Sequence, residues 1–215
     1  MAGTVTAALL PAAINLATAG KALAQSTMSP DQALQELVDG NKRYVEGRMT
    51  AFEQDLAILK QKNAEKQEPF AAVLSCADSR VPVELVFDQS IGHLFVTRVA
   101  GNIASSEIIA SLEYGAAVLG TKAILVLGHS SCGAVKAAIA AQAVPGQIST
   151  LYRYIRPAVD QAGTDYNAVG RANAKIQAAI LSEASPVLAE RIKQHNLKIV
   201  AGFYDLKTGK VEMLG

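Results

Sequence analysis

The chain has 215 residues, half of them hydrophobic, a formal net charge of +1 at pH 7, no Trp and no basic tract. That length and apolar content suit one sizeable α/β domain, and the balanced charge with few aromatics argues against a nucleic-acid partner or a stacking platform for bases. Two cysteines, Cys76 and Cys132, leave a disulfide and metal ligation both open by count alone.

The segment 1–28 differs from the rest. Thr4 to Ala19 is small, apolar and uncharged, Lys21 follows, and Ala22-Leu23-Ala24 precedes Gln25. An A-x-A tripeptide after an apolar stretch resembles the end of a secretory signal peptide, and the Ala/Thr-rich character resembles a twin-arginine leader. On that reading the protein is extracytoplasmic, periplasmic or secreted. On the competing reading the segment is an apolar arm packed on a partner subunit of a cytoplasmic protein. Pro11 and Asn15 interrupt the segment, which is too short to span a bilayer securely.

Residues 29–215 read as a single domain. Ser29-Pro30-Asp31 before Ala33, Leu34 and Leu37 predicts a helix over 29–46, with Ser29 as cap and Pro30 as first helical residue. The stretch 52–66 reads as a polar helix or loop. From Pro69 the pattern turns to short apolar runs at 70–75, 93–99, 123–127 and 197–204. Near-continuous apolar runs predict strands buried on both faces of a parallel sheet. Helical stretches separate them over 105–119, 133–143 and 148–194, and residues 210–213 add an edge strand after the Thr208-Gly209 turn. The expected fold is α/β: a mostly parallel sheet of four or five strands flanked by helices, with an N-terminal helical arm and right-handed crossovers.

The first run ends at Cys76 and the third at Gly128-His129. In open α/β sheets the carboxyl ends of the strands form the ligand crevice, so Cys76-Ala77-Asp78-Ser79-Arg80 and Gly128-His129-Ser130-Ser131-Cys132-Gly133 are expected to meet there. Cys76, His129 and Cys132 make a Cys2His set, which in catalytic zinc sites leaves a fourth position for water. Thiolate and imidazole suit zinc, and a helix start at Cys132 favours its thiolate. A disulfide would leave His129, Asp78 and Arg80 without a role. Asp78 and Arg80 by themselves read equally as a loop salt bridge, and His93 and His195 as surface residues or proton shuttles.

The two motifs together resemble those of the β-class carbonic anhydrases, with similarity running from about Asp31 to the C-terminus. The resemblance implies zinc held by Cys76, His129 and Cys132, and reversible hydration of carbon dioxide to bicarbonate and a proton. It makes Asp78 and Arg80 the family's catalytic Asp–Arg pair and Gln67 a hydrogen-bond donor to substrate. It places Phe95, Ala100 and Tyr114 along the substrate cleft, where Val is more usual at position 100. It also implies a homodimer or tetramer whose clefts form where two subunits meet. Zinc would make hydroxide available near neutral pH, Asp78 would accept a hydrogen bond from it, and Arg80 would hold Asp78 by a two-point contact. In a closed state Asp78 would itself be the fourth ligand. Val73 stands where members with an allosteric bicarbonate pocket carry Trp, so mostly open sites are expected. Three alternatives stay open: a family-related carbonyl sulfide or carbon disulfide hydrolase, a metal-free Cys or Ser hydrolase, and a non-catalytic zinc protein closed by Asp78. The second arises because residues 128–132 nearly match a G-x-S-x-G nucleophile elbow.

Overall fold

Ser29 starts the first described element by a reciprocal cap. Its Oγ accepts the Gln32 N–H at 3.2 Å, and Gln32 Oε1 accepts the Ser29 N–H at 2.8 Å, with Pro30 in the first turn. Helix α1 (Pro30–Val45) follows in a computed structural model that describes residues 26–51, 60–61 and 63–215. The leader or arm expected within 1–25, and residues 52–59 and 62 of the polar stretch, lie outside the described residues. No helix among the described residues is long and apolar enough to cross a membrane.

From residue 71 the elements are β1 (Ala71–Ser75), α2 (Val83–Val86), β2 (Leu94–Arg98), α3 (Ser106–Ala117), β3 (Ala123–His129), α4 (Gly133–Ala140), a 3-10 turn (Ile148–Leu151), α5 (Tyr152–Ala162), α6 (Tyr166–Ala184), α7 (Pro186–Lys193), β4 (Lys198–Tyr204) and β5 (Val211–Leu214). The sheet order is β2-β1-β3-β4-β5; the first four strands run parallel and β5 closes one edge antiparallel. The α/β fold, its mostly parallel sheet of five strands and its helical flanks are therefore as the sequence led us to expect.

Period-two geometry explains the unbroken apolar runs. Ala71, Val73, Leu125 and Leu127 face one core with Ala33 and Leu37 of α1 and Val83, Val86 and Phe87 around α2. Ala72, Leu74, Ile124 and Val126 face the other, with Leu112 of α3, Leu181 of α6 and Leu188 of α7. Both faces of β1 and β3 are covered, so neither strand has room for a polar alternation. The single helical stretch expected over 148–194 is divided. Asp165 caps α6, its Oδ1 accepting the Ala168 N–H at 2.7 Å, and Ser185 before Pro186 caps α7, its Oγ accepting the Leu188 N–H at 3.1 Å.

One buried carboxylate ties α1 to the loop after α2. The Asp88 side chain is 0% exposed; it pairs with Arg43 Nε at 2.6 Å and accepts the Ala51 N–H at 2.9 Å. Burial alone would raise its pKa, but Arg43 and the N–H groups of Ala51 and Thr50 hold it below the usual carboxylate range. Asp88→Asn is expected to lower unfolding stability at neutral pH by about 2 kcal/mol, the scale of hydrogen bonds to a charged group. Because the folded pKa is depressed, the contribution is complete above the unfolded value and fades as pH falls through the folded one. Denaturant titrations should show the gap between wild type and variant at about pH 7 narrowing below about pH 4.

Candidate metal centre

Parallel pairing brings the two motifs together. β1 and β3 run side by side with Ser75 opposite Leu127, so Cys76 and His129 emerge at the same, carboxyl end of the sheet. Gly128 permits the close passage of α6 there: a Cβ on it would lie 2.9 Å from the Gly170 carbonyl oxygen. The chain leaves β3 through Ser131, at φ 55°, and Cys132 becomes the residue that opens α4. Ser130 Oγ accepts the Leu206 N–H at 2.9 Å and anchors this ligand loop to the end of β4.

The donor atoms of Cys76, His129 and Cys132 lie within 4.8 Å of one another, and all three residues are buried. The two sulfurs are 4.0 Å apart and not bonded to each other. A tetrahedron with zinc–sulfur arms near 2.3 Å has an S–S edge of about 3.8 Å, so the spacing suits an ion. His129 Nδ1 meets the Ser130 carbonyl at 3.0 Å, which fixes the proton on Nδ1 and leaves the Nε2 lone pair free. That Nε2 is buried and has no hydrogen-bond partner among the described residues. A buried nitrogen left without a partner beside two thiols fits a place for a cation.

Cys76 is the more acidic thiol: the Cys132 thiol donates to it, burial opposes the shift, and the adjoining His129 ring and the N–H groups of Gly101 and Asp78 add to it. Cys132 is pushed up by the negative sulfur beside it and by burial, although the N–H groups of Val135 and Ala134 at the start of α4 pull the other way. The pair thus retains a proton that a divalent cation would displace.

Asp78 borders this cluster, its Oδ2 lying 3.9 Å from His129 Nε2. Arg80 grips it at two points, Nε to Oδ1 at 2.9 Å and Nη2 to Oδ2 at 2.8 Å, and the Arg80 backbone N–H adds a contact to Oδ1 at 3.0 Å. This pairing holds the Asp78 carboxyl well below the usual carboxylate range. Arg80 Nη2 also reaches the Ser131 carbonyl at 3.3 Å, tying the first motif to the second. Sequence reasoning missed Arg98, whose Nε and Nη2 donate to the carbonyls of Cys76 at 2.9 Å and Asp78 at 2.5 Å. Only the parallel register, which sets it opposite Ser75, reveals that role.

The expected cleft residues are not all at this place. Ala100 adjoins Gly101, whose N–H reaches the Cys76 sulfur. Gln67 instead precedes β1 and Cys76 follows it, so a five-residue strand, about 16 Å, separates them. Gln67 is exposed and shares a surface hollow with Tyr114, which stacks obliquely on Phe95 with ring centroids 6.3 Å apart. His93 precedes β2, with Nδ1 against Gln89 Oε1 at 3.1 Å, and His195 lies in the turn before β4. Since β1 to β4 are parallel, both histidines sit at the amino end of the sheet, opposite the cluster of the same chain. Val73 is buried completely in β1.

Fold and donor set together define an α/β domain with a group of side chains at its strand ends that could hold a metal ion. Residues 71–211 match the sequence model of the carbonic anhydrase family. Carbonic anhydrase 2 of Mycobacterium tuberculosis is 36% identical over 190 residues, covering 85% of this chain and 91% of the relative. The solved β-carbonic anhydrase of Coccomyxa, in complex with acetazolamide, superposes with a TM-score of 0.67 at 27% identity, over 84% of this chain and 86% of that one. One of two tetrameric β-carbonic anhydrases of Sordaria macrospora gives a TM-score of 0.67 at 25% identity, over 74% and 90%. The chain belongs to the β-class carbonic anhydrases, a family of enzymes.

Proposed function

We propose that this chain is a zinc enzyme that reversibly hydrates carbon dioxide to bicarbonate and a proton. The observation that carries the reading is the buried Nε2 of His129, without a hydrogen-bond partner among the described residues, at the point where two thiols converge. Two sulfurs and an imidazole favour zinc over the hard cations, which prefer oxygen. When bound there, zinc lowers the pKa of water from 15.7 to about 7 and so supplies a nucleophile at neutral pH.

The chain's own residues aim that nucleophile. Asp78, kept ionised by Arg80, can only accept a hydrogen bond, so it would accept one from the attacking oxygen, which keeps its proton, and so turn a lone pair toward the carbon. Arg80 occupies both carboxylate oxygens, which keeps Asp78 off the ligand cluster. Gln67 stands at the opposite end of β1 from the cluster and shares its hollow with Tyr114, which stacks on Phe95, so these three are assigned to the cleft of a second copy. The tetrameric Sordaria relatives support such an assembly, as does the exposure of Tyr114, at 46%.

Stopped-flow hydration of carbon dioxide beside a carbonyl sulfide assay, with metal analysis of the same sample, tests the proposal. The expected result is about one zinc per chain and carbon dioxide as the faster substrate. A fully loaded protein inert toward carbon dioxide would overturn it. In the same assay Gln67→Ala should retain zinc and oligomeric state while turnover falls about 10²-fold, the scale for loss of one donor to developing charge. An unchanged rate would remove Gln67 from the substrate site.

A further inference from the structure

Helix α6 is rich in alanine, yet two of its amides, Asn173 and Gln177, are completely buried one turn apart on a shared face. A buried amide is tolerated when its hydrogen bonds are made, and these are. Asn173 Nδ2 donates to the Gly101 carbonyl at 2.9 Å. Gln177 Oε1 accepts the Ala104 N–H at 2.8 Å, and its Nε2 donates to the Asn173 side-chain oxygen at 3.2 Å and to the Tyr154 carbonyl at 3.0 Å. The two amides therefore grip both ends of the loop 101–104. From the other side Gly101 is confined by sterics: its φ is +78°, and a Cβ there would lie 2.8 Å from Ile155 Cδ1. The group so fixed is the Gly101 N–H, which points at Cys76 Sγ from 3.3 Å.

We infer that Asn173 and Gln177 are positioning residues for the metal centre, acting through the Gly101 N–H on the Cys76 sulfur. The inference rests on the reading of Cys76 as a metal ligand. The N–H holds the sulfur in place for the ion and lowers the energy of its lone pairs. Groups that orient ligands in this way commonly change metal affinity by about 10- to 100-fold when removed. Neither residue touches the reacting atoms, so the effect belongs to metal retention before it belongs to turnover.

The test uses the full chain loaded with cobalt(II). Two readouts are followed: the rate of metal release to excess EDTA, and the position of the near-ultraviolet sulfur-to-cobalt charge-transfer band. Asn173→Ala and Gln177→Met each break the grip, and the second serves where the first does not fold. Val169→Ala is the control, since Val169 is wholly buried on the same helix in the apolar cluster that contains Cys76 and Cys132. Asn173→Ala and Gln177→Met should release cobalt about 10- to 100-fold faster and move the band to longer wavelength. Val169→Ala should lose thermal stability while keeping the wild-type band and a release rate close to wild type. Wild-type behaviour of both amide variants, or the same shift in Val169→Ala, would overturn the inference. Failure of the wild-type protein to take up cobalt would instead overturn the metal reading beneath it.

Discussion

Cys132→Ser will lose its metal and its activity together. The sulfur of Cys132 sits 4.0 Å from that of Cys76 and is one of the three donor atoms within 4.8 Å of one another. A serine hydroxyl in its place stays protonated near neutral pH and is a hard donor where a soft one is needed. The remaining Cys76 and His129 cannot complete the site. Water at the centre then returns toward its ordinary pKa of about 15.7, from about 7, so hydration should fall by on the order of 10³-fold or more. Metal content by mass spectrometry and stopped-flow rates on one preparation check this. A variant that keeps about one metal per chain with a normal rate would contradict the ligand assignment.

Arg80→Ala should nearly silence the enzyme while leaving the metal in place. The variant retains the backbone N–H of residue 80 on Asp78 Oδ1 but loses both guanidinium contacts. Oδ2, already 3.9 Å from His129 Nε2, is then free to turn toward the ligand cluster. We expect turnover to fall by about 10²- to 10³-fold, the scale on which a preorganised polar group acts. The sign of the pH dependence is set by Arg80, which holds the Asp78 carboxyl below its ordinary range. Without it the pKa rises toward about 3.9, so the depressed-pKa contribution is lost only as pH falls, and at neutral pH the carboxylate is ionised in both proteins. Raising the pH from about 7 to about 9 should therefore not rescue the variant. Arg80→Lys, which keeps the charge but not the two-point grip, should fall between the two. A pH–rate profile of Arg80→Ala matching wild type would reduce the pair to an ordinary salt bridge.

The parallel core was legible because β1 and β3 are buried on both faces, which leaves an unbroken apolar run in the sequence. Ser29 and Pro30 announced α1 for a local reason, since capping involves neighbours in the chain. The meeting of Cys76 with His129 and Cys132 was legible through the general habit of strand ends in such sheets. What escaped was set by tertiary contact. The four-residue α2 is too short to show a period. Asn173 and Gln177 show their part only once the loop 101–104 is placed against them. Arg98 looks like an ordinary strand-end charge until its neighbours' carbonyls are located. Gln67 was reached through the family resemblance, and the strand expected over 70–75 already stood between it and Cys76 in the sequence.

The strand between Gln67 and Cys76 also sets an order of events. All three donors belong to one chain, so a newly made copy can take up its ion alone, in a step first order in protein. Turnover in the proposed assembly waits for an encounter, because the groups facing the substrate arrive on another copy. Dilution would then divide the two properties: metal per chain would hold constant while specific activity declined. An idle, loaded monomer would be the resting species of the dilute protein, and its encounter rate would govern how fast activity appears after synthesis.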